Sequence, residues 1–490
     1  MNVAVRPEDA VSHQPLAAPF LAGFRSLLSE TTGTWVNWEG EAPSWLSGDL
    51  LRTGPALFEV GGRPYRHWFD GLAMLYRFAL APDGVAYTNR FLRSESFAAA
   101  IDDHRVMHGG FATNSDSPYW RRVMDPVIGR MTDNANVNVF KFGEDDFVAL
   151  TEVPRAMRFD RETLATLGAL TWDDQLKSHT MTAHPLRDAW RRVVYNLETV
   201  FSVPSLYRLT RMADGVTTRE VVAEIRVDHP AYMHSFAMSR NYLILVECPL
   251  VVHPLRMLLR SGPFISAYRW TPERGTCLTV VDKDSGAIVR RCLAEPCFGF
   301  HVVNAFEQDG TVAVDFVAYP DAAVVGGLAL DRLRTGARQC AGMLTRFTVS
   351  LDTGTSATSI LSDSLLELPH FDWRRQTGIA YRYVWAVGQS GAAFINDLQK
   401  HDLRCGTIAR WSEPGCYAGE PVFVAAPEAE AEDDGIILSV VLDSQRHRSF
   451  LLLLDAATMT EQARAWMPHA IPFGFHGNHY PVAPRAQADG

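Results

Sequence analysis

Four histidines in this chain have similar surroundings, each being a single imidazole among small or aromatic residues. They occur in the stretches T-A-H-P, Y-M-H-S-F, F-G-F-H-V-V-N and P-F-G-F-H-G, at His184, His234, His301 and His476. Intervals of 50, 67 and 175 residues separate them, which is too wide for a zinc finger or an HExxH site, where ligands share one element. We therefore predict that distant parts of the chain bring these imidazoles to one metal ion. Taken singly, a histidine in an apolar strand is more often a packed core residue.

A site made only of neutral imidazoles suits a borderline divalent cation such as Fe²⁺, Zn²⁺, Cu²⁺ or Ni²⁺. Four protein ligands leave an octahedral ion with open positions, as O₂ chemistry requires, whereas a tetrahedral zinc site would be closed. The centre would carry two positive charges and no directly bound anion. We therefore expect nearby carboxylates that accept hydrogen bonds from the imidazole N–H groups and fix the ring orientations.

The elements that would position these residues are β-strands joined by short turns. A strand that ends in Asp, followed by a turn and a second strand, occurs four times, in the stretches that begin at Arg158, Val280, Val349 and Leu453. Asp favours such turns because its carboxylate accepts hydrogen bonds from backbone N–H groups further along the turn. Repeated hairpins predict an all-β chain folded as a β-propeller, whose innermost strands run beside one axis. A β-sandwich with common turns is the alternative that this pattern leaves open.

The chain divides into an N-terminal arm, residues 1–32, and a single propeller domain, residues 33–485. Two segments interrupt the strands, at about 95–130 and 248–264, and we expect them to form a helical or loop cap over one face. The segment Cys248–Phe264 is apolar and places Arg256 and Arg260 on one face of a helix. It is either a buried core helix or a lip that dips into a membrane and guides a lipid-soluble substrate inward.

The composition narrows the class of protein. The chain has 490 residues and a net charge of −10, so a general nucleic-acid surface is not expected. It has no stretch of about 18 apolar residues that would span a bilayer, and its first residues do not resemble a secretory signal. The seven cysteines form no CxxC pair, which is typical of reduced thiols in a cytoplasmic protein. We expect a cytoplasmic location with membrane association through the cap.

Several longer motifs resemble those of the carotenoid cleavage oxygenase family, and the resemblance extends from about Trp35 to about Pro481. The motifs are H-W-F-D-G at 67–71, T-D-N-A-N-V-N-V at 132–139, H-S-F-A at 234–237, F-H-V-V-N-A-F-E at 300–307, E-D-D-G at 432–435 and F-H-G at 475–477. The resemblance implies a seven-bladed β-propeller capped by helices, with Fe²⁺ on its axis. The ligands that it implies are His184, His234, His301 and His476.

The same resemblance implies that three glutamates each accept a hydrogen bond from a ligand histidine. They are Glu152 in L-T-E-V-P, Glu367 in L-L-E-L-P and Glu420 in G-E-P-V-F-V. Read without the family, each is a lone carboxylate in an apolar strand, and a salt bridge would satisfy it equally well.

The function that the resemblance implies is a non-haem Fe²⁺ dioxygenase that cleaves one conjugated C=C bond of a carotenoid or apocarotenoid. Its partners would be a lipophilic polyene and O₂, and its products two aldehydes, retinal-like if cleavage is central. No side chain beyond the metal ligands is expected to act as a catalytic acid or base.

Three other functions remain open at this point. Stilbene-cleaving relatives tend to carry a lysine immediately before the first glutamate, where this chain has Thr151, and this difference favours a hydrocarbon polyene. A retinoid isomerase would use the same iron without consuming O₂. A metal-free propeller would serve as a binding platform.

Overall fold

Antiparallel hairpins follow one another along most of the chain. The computed structural model describes residues 18–127, 131–143, 146–260, 262–337 and 339–481. In three of the four predicted turns, an Asp side chain accepts the backbone N–H three residues later at 2.8 Å, at Asp160, Asp282 and Asp455. In the fourth turn the acceptor is the hydroxyl of Ser350 instead of the Asp352 carboxylate. The prediction of an all-β chain is confirmed.

Most strands of the described residues belong to six sheets of four or more strands, one of which divides into two, and these give the seven blades numbered here. Two further two-stranded ladders pair Glu59–Val60 with Arg63–Pro64 and Leu250–Val251 with Arg269–Trp270. Blade 1 contains Thr31–Asn37, Gly48–Leu57, Leu72–Ala81, Gly84–Phe91 and Gly477–Tyr480; blade 2 contains Asn138–Lys141, Phe147–Leu150, Met157–Phe159 and Thr166–Ala169; blade 3 contains Thr180–Met181, Leu186–Asp188, Val193–Val200, Ser205–Ala213 and Glu220–Val227; blade 4 contains Ala237–Met238, Tyr242–Glu247, Thr276–Asp282 and Ile288–Ala294. Blade 5 contains Val302–Gln308, Thr311–Ala318, Gly342–Ser350 and the first part of Ser356–His370; blade 6 contains the last part of Ser356–His370, with Tyr383–Gly388, Asp397–Asp402 and Thr407–Trp411; blade 7 contains Glu39–Gly40, Cys416–Ala418, Val422–Ala425, Gly435–Asp443, Arg448–Asp455 and Glu461–Trp466.

Blades 5 and 6 share one long strand, Ser356–His370. Its first part pairs with Gly342–Ser350 and its last part with Tyr383–Gly388. The register shifts between Glu367 and His370, and Leu368 has a positive φ of 48°. This local irregularity turns the strand from the outer edge of one blade to the inner edge of the next. The seven-stranded sheet therefore counts as two blades, which makes the predicted seven-bladed β-propeller.

Strands from opposite ends of the described chain pair with each other. Gly477–Tyr480 pairs antiparallel with Gly48–Leu57 in blade 1, and Glu39–Gly40 pairs with Glu461–Trp466 in blade 7. Because both pairings join residues far apart in sequence, they hold the first and last blades in register. They also carry His476, which directly precedes Gly477, to the inner edge of blade 1.

Helices and loops cover one face of the propeller. The α-helices are Glu95–Asp102, Tyr119–Val127, Pro254–Leu258, Ala323–Gly327, Leu330–Arg334 and Trp373–Gln376, and the 3₁₀ helices are Pro19–Phe24, Trp68–Asp70, Phe264–Ala267 and Pro272–Arg274. Segments from both predicted cap regions line one cavity, described below. None of the helices among the described residues is long and apolar enough to cross a membrane.

Residues 1–17 of the predicted N-terminal arm lie outside the described part of the chain, which begins at residue 18. Residues 128–130 and 261 of the two predicted cap segments, and 482–485 of the predicted propeller domain, also lie outside it. Within the arm, the short 3₁₀ helix Pro19–Phe24 buries Phe20 and Phe24. The Phe24 ring contacts Trp68 and Phe473, with ring centroids 5.5 and 5.3 Å apart. These contacts place Pro19–Phe24, within the described part of the arm, in the hydrophobic core. The division into an arm and one domain stays a prediction.

Candidate metal centre

Each of the seven blades contributes one residue to a cluster at the centre of the ring. His301 and His476 directly precede the innermost strands of blades 5 and 1, His234 lies three residues before that of blade 4, and His184 lies between the two innermost segments of blade 3. The other three blades supply Glu152, Glu367 and Glu420, from blades 2, 6 and 7. The histidines therefore lie at the ends of the inner strands, where the backbone leaves the ladder.

The four imidazoles converge on a common point. When one ring nitrogen is taken from each of the four histidines, the four nitrogens all lie within 4.8 Å of one another. The Nε2 atoms of His184 and His234 are 2.9 Å apart, and those of His301 and His476 are 3.1 Å apart. Adjacent ligands of an octahedral ion, each about 2.1 Å from the metal, lie about 3 Å from one another. These separations therefore fit a single ion bound by all four rings.

Three glutamates set the tautomers of three of these rings. The Nδ1–H groups of His234, His301 and His476 each donate to a glutamate oxygen at 2.6 Å, the partners being Glu152, Glu367 and Glu420. A neutral imidazole that carries its proton on Nδ1 has an unshared electron pair on Nε2. The glutamates thus turn the metal-binding nitrogen of each ring toward the centre and raise its basicity. No such glutamate bond to His184 is found among the described residues.

The unshared pairs explain why the cluster fits a metal ion. With both Nδ1 atoms protonated, the Nε2 atoms of His301 and His476 face each other as two acceptors at 3.1 Å. Two acceptors repel unless a positive charge lies between them. A proton serves only one pair of nitrogens, whereas a metal ion serves all four. The donor set is soft enough to favour a transition metal over Ca²⁺ or Mg²⁺.

Burial keeps these groups in the protonation states that metal binding needs. Burial lowers the pKa of His476 to about 4, and burial and the neighbouring histidines lower the pKa of His184 well below its ordinary value. Burial alone would raise the pKa values of Glu367 and Glu420, but their histidine partners and further hydrogen bonds bring both below the ordinary value. The His184 and His476 rings are therefore neutral, and the Glu367 and Glu420 carboxylates ionised, at neutral pH.

The glycine of the F-H-G motif is required by close packing around Glu420. The backbone N–H of Gly477 donates to Glu420 Oε2 at 2.9 Å. A Cβ at this position would collide with the Arg52 side chain and with the carbonyl oxygen of Leu51. The motif thus joins His476, one of the four converging histidines, to a backbone donor for the carboxylate that orients it.

A cavity opens beside the imidazoles and extends under the cap. Its volume is about 230 Å³, and His234, His301 and His476 form part of its wall. Most of the remaining wall is aromatic or aliphatic, including Phe69, Phe111, Phe264, Phe300 and Phe475. An apolar, concave site with a few polar groups at one point is typical of a small-molecule site.

Sequence reasoning missed several residues of the centre. Tyr232 and Tyr319 donate their hydroxyl groups to Glu152 and Glu367, both at 2.8 Å, and Arg52 Nη1 lies 3.5 Å from Glu420 Oε2. Of these, only Tyr232 carries a local signal, since it stands two residues before His234 and so faces the same side of an extended segment. The other two approach from positions distant in sequence.

The chain is similar to proteins of known activity over nearly its whole length. A family model described as retinal pigment epithelial membrane protein matches residues 24–481. The carotenoid isomerooxygenase of Galleria mellonella is 32% identical over 473 residues, covering 89% of this chain and 92% of that protein. The beta,beta-carotene 15,15'-dioxygenase of Mus musculus is 29% identical over 503 residues, covering 91% and 88%. Among solved structures, the cobalt-substituted apocarotenoid oxygenase of Synechocystis has a TM-score of 0.82 and 26% identity, covering 95% of this chain and 98% of that one.

Proposed function

Because the chain belongs to the carotenoid cleavage oxygenase family, we propose that it is an Fe²⁺-dependent dioxygenase that cleaves one conjugated C=C bond of a carotenoid or apocarotenoid to give two aldehydes. The observation that carries this proposal is the set of four converging Nε2 atoms beside an aromatic cavity. Relatives named for carotenoid cleavage support the substrate class. The name of the mouse relative favours a central double bond and retinal-like products.

The donor set is compatible with iron as the resident metal. Four neutral imidazoles bind Fe²⁺, Co²⁺ and Zn²⁺ alike, so the ligands alone select a class of ion. Bound there, Fe²⁺ would supply the redox chemistry that lets O₂ react with a C=C bond, which side chains do not provide. His184, His234, His301 and His476 would hold it, and the cobalt-substituted relative supports a transition metal at this position.

The residues of the chain itself position the polyene and exclude water. The Phe300 ring lies 5.7 Å from that of His234 and 5.8 Å from that of Phe69, measured between ring centroids. The Phe475 ring packs edge-on against Phe69 at 5.2 Å. These flat apolar walls hold a conjugated chain next to the imidazoles by dispersion and edge-to-face contacts. A dry wall also protects reactive species from water.

The residue beside Glu152 favours a polyene over a phenolic stilbene. Thr151 lines the cavity next to Glu152, where a substrate phenol would need a charged or strongly polar partner. A threonine hydroxyl is a much weaker partner for a phenolate than a lysine ammonium. We therefore propose a hydrocarbon polyene as the group that lies next to the metal.

The proposed reaction is tested by anaerobic loading of the protein with Fe²⁺, followed by β-carotene or an apocarotenal under ¹⁸O₂. One labelled oxygen in each of two aldehyde fragments supports a dioxygenase, and the fragment masses identify the bond. Conversion without O₂ uptake identifies an isomerase instead. Cleavage of a hydroxylated stilbene but not of a polyene contradicts the proposed substrate class.

We also propose that the cap docks on a lipid surface, from which the substrate enters. Helices Tyr119–Val127 and Pro254–Leu258 contact each other. Trp120, on the first, and Leu259, at the end of the second, are 62% and 63% exposed. Met257 on the same short helix is fully buried, so one face of the segment packs in the core and the other faces solvent. Exposed apolar side chains next to the exposed Arg121 and Arg256 match an anionic phospholipid surface.

The docking surface is tested by cosedimentation with vesicles that contain anionic phospholipid. We expect Leu259→Glu to reduce the bound fraction severalfold. Leu293→Glu is the matched control, since Leu293 is 64% exposed on an outer strand of blade 4. Equal binding of wild type and Leu259→Glu would remove the docking proposal. A cytoplasmic location stays a prediction.

A further inference from the structure

Each of the three glutamates has a second side-chain partner besides its histidine. The Tyr232 hydroxyl donates to the same oxygen of Glu152 that accepts from His234, at 2.8 Å. The Tyr319 hydroxyl donates at 2.8 Å to the oxygen of Glu367 that His301 does not use. The two tyrosine hydroxyl groups therefore bond the glutamates and not the imidazoles.

The third partner is a cation instead of a hydroxyl. Arg52 Nη1 lies 3.5 Å from Glu420 Oε2, while its Nη2 donates to the carbonyl oxygen of Phe475 at 2.8 Å. The residue is 5% exposed, so its charge is removed from water and needs a nearby anion. Arg52 reaches the centre from the strand Gly48–Leu57.

All three outer partners are held rigidly by their own surroundings. Tyr232 and Tyr319 are 4% and 3% exposed. The Tyr232 ring packs against Phe111 and Tyr268, with centroids 5.9 Å away in both cases. A donor with a fixed position restricts the carboxylate to one rotation, which in turn restricts the imidazole plane.

Arg52 also completes the charge balance of the buried centre. The three carboxylates accept hydrogen bonds from imidazole, hydroxyl and backbone amide donors, and Glu420 also forms an ion pair with Arg52. A divalent ion would balance two of the three carboxylates. Because a buried charge is least costly when it is paired, Arg52 offsets the negative charge that the ion would leave unbalanced.

We propose that Tyr232, Tyr319 and Arg52 are positioning residues of the metal centre, each acting through a glutamate to orient one imidazole, with Arg52 also neutralising the centre for a divalent ion. The inference rests on the proposed metal site. It assigns a role in metal affinity to residues that touch neither the metal position nor the four imidazoles by hydrogen bonds.

The test is metal affinity, measured on the full chain by competition between metal-free protein and a chromophoric chelator for Co²⁺. Tyr232→Phe and Tyr319→Phe each remove one hydroxyl and keep the ring. We expect each to raise the Co²⁺ dissociation constant about three- to tenfold, less than the 10–100-fold typical for direct partners of a ligand. The melting temperature of the metal-free protein should fall by no more than about 1–3 °C, because each variant removes one hydrogen bond to a buried carboxylate. We expect Arg52→Lys, which keeps the positive charge and removes the guanidinium fork, to weaken Co²⁺ binding as well.

Tyr268→Phe is the matched control, because Tyr268 is buried in the same aromatic cluster and makes no hydrogen bond with the three glutamates among the described residues. Unchanged Co²⁺ affinity in both tyrosine variants would overturn the inference. So would an equal loss of Co²⁺ affinity in Tyr268→Phe, since that would indicate a general effect of the aromatic cluster and no specific role for the two hydroxyl groups. A wild-type protein that binds no Co²⁺ would instead refute the proposed metal site.

Discussion

Replacing Glu420 or Glu152 by glutamine should change the stability of the fold by very different amounts, because the two carboxylates distribute their hydrogen bonds differently between their oxygens. Glu420 uses both oxygens for N–H donors, Oε1 for His476 at 2.6 Å and Oε2 for Gly477 at 2.9 Å. Glutamine offers only one oxygen, so its amide N–H₂ must face one of these donors. Glu152 receives both Tyr232 and His234 on Oε1. A glutamine there can present its oxygen to both and turn its amide nitrogen to the other side.

The expected magnitudes follow from these contacts. In Glu420→Gln, one buried N–H loses its acceptor, which costs about 1–3 kcal/mol. Arg52 loses its carboxylate but keeps the Phe475 carbonyl at 2.8 Å, so we take the low end of the roughly 3–5 kcal/mol for breaking a buried ion pair. Since the two effects share one side chain and are not additive, we expect about 3–5 kcal/mol in total. For Glu152→Gln we expect less than about 1 kcal/mol, because no buried donor loses its acceptor.

The assay is thermal unfolding of the metal-free variants, followed by circular dichroism. With about 2 cal/mol/K of unfolding entropy per residue, a chain of 490 residues loses about 1 °C of Tm per kcal/mol. Glu420→Gln should therefore lower Tm by about 3–5 °C and Glu152→Gln by less than about 1 °C. In a protein that already carries Arg52→Met, Glu420→Gln should lower Tm by less than it does in wild type, because no Arg52 cation is left without its carboxylate. Equal Tm losses for the Glu420 and Glu152 variants would refute the reasoning from oxygen-by-oxygen contacts.

Two further predictions concern pH and metal. Burial raises the pKa of Asp70 to about 6, although its hydrogen bonds with Ala112 and Thr113 oppose the rise. The folded state therefore binds this proton more tightly than the unfolded state does. The stability that this group contributes is lost as pH rises through 6, by roughly 1 kcal/mol between pH 5 and 7. Tm measured from pH 5 to 7 should fall less in Asp70→Asn than in wild type, and parallel curves would contradict the assignment. Adding Co²⁺ or Fe²⁺ at 100 times its dissociation constant should raise the free energy of unfolding by about 2.7 kcal/mol, which corresponds to a Tm increase of about 3 °C. This increase should be absent in His184→Ala. An equal increase in that variant would contradict a role for His184 in binding the metal.

The overall fold could be predicted from the chain because its signals are local and repeated. Asp-containing turns such as the one at Asp282 recur between apolar strands, and each has a short-range physical cause. The strand Ser356–His370 was not predicted as a shared element. Pro369 marks the point where it passes from blade 5 to blade 6, but a proline in a strand pattern by itself indicates the end of a strand and gives no sign of a second blade.

The site was predictable in part for the same reason. His301 and His476 stand in distinctive F-H contexts, and the resemblance to a family added Glu367 and Glu420. The role of Arg52 could not be read from sequence, because it depends on a contact with a residue 368 positions away. Its local context, a strand that leads to a Gly-Pro pair, indicates a turn and gives no sign of a buried ion pair.

The measurement that tests the central claim most directly is the metal stoichiometry of purified protein titrated anaerobically with Fe²⁺ and assayed by elemental analysis. The four-imidazole centre predicts one iron per chain in wild type, and strongly reduced iron in His301→Ala. His479→Ala should bind iron normally, since the His479 ring bonds the Ser47 carbonyl and lies outside the cluster. Wild-type protein without stoichiometric iron, or a His301→Ala variant that retains it, would contradict the account.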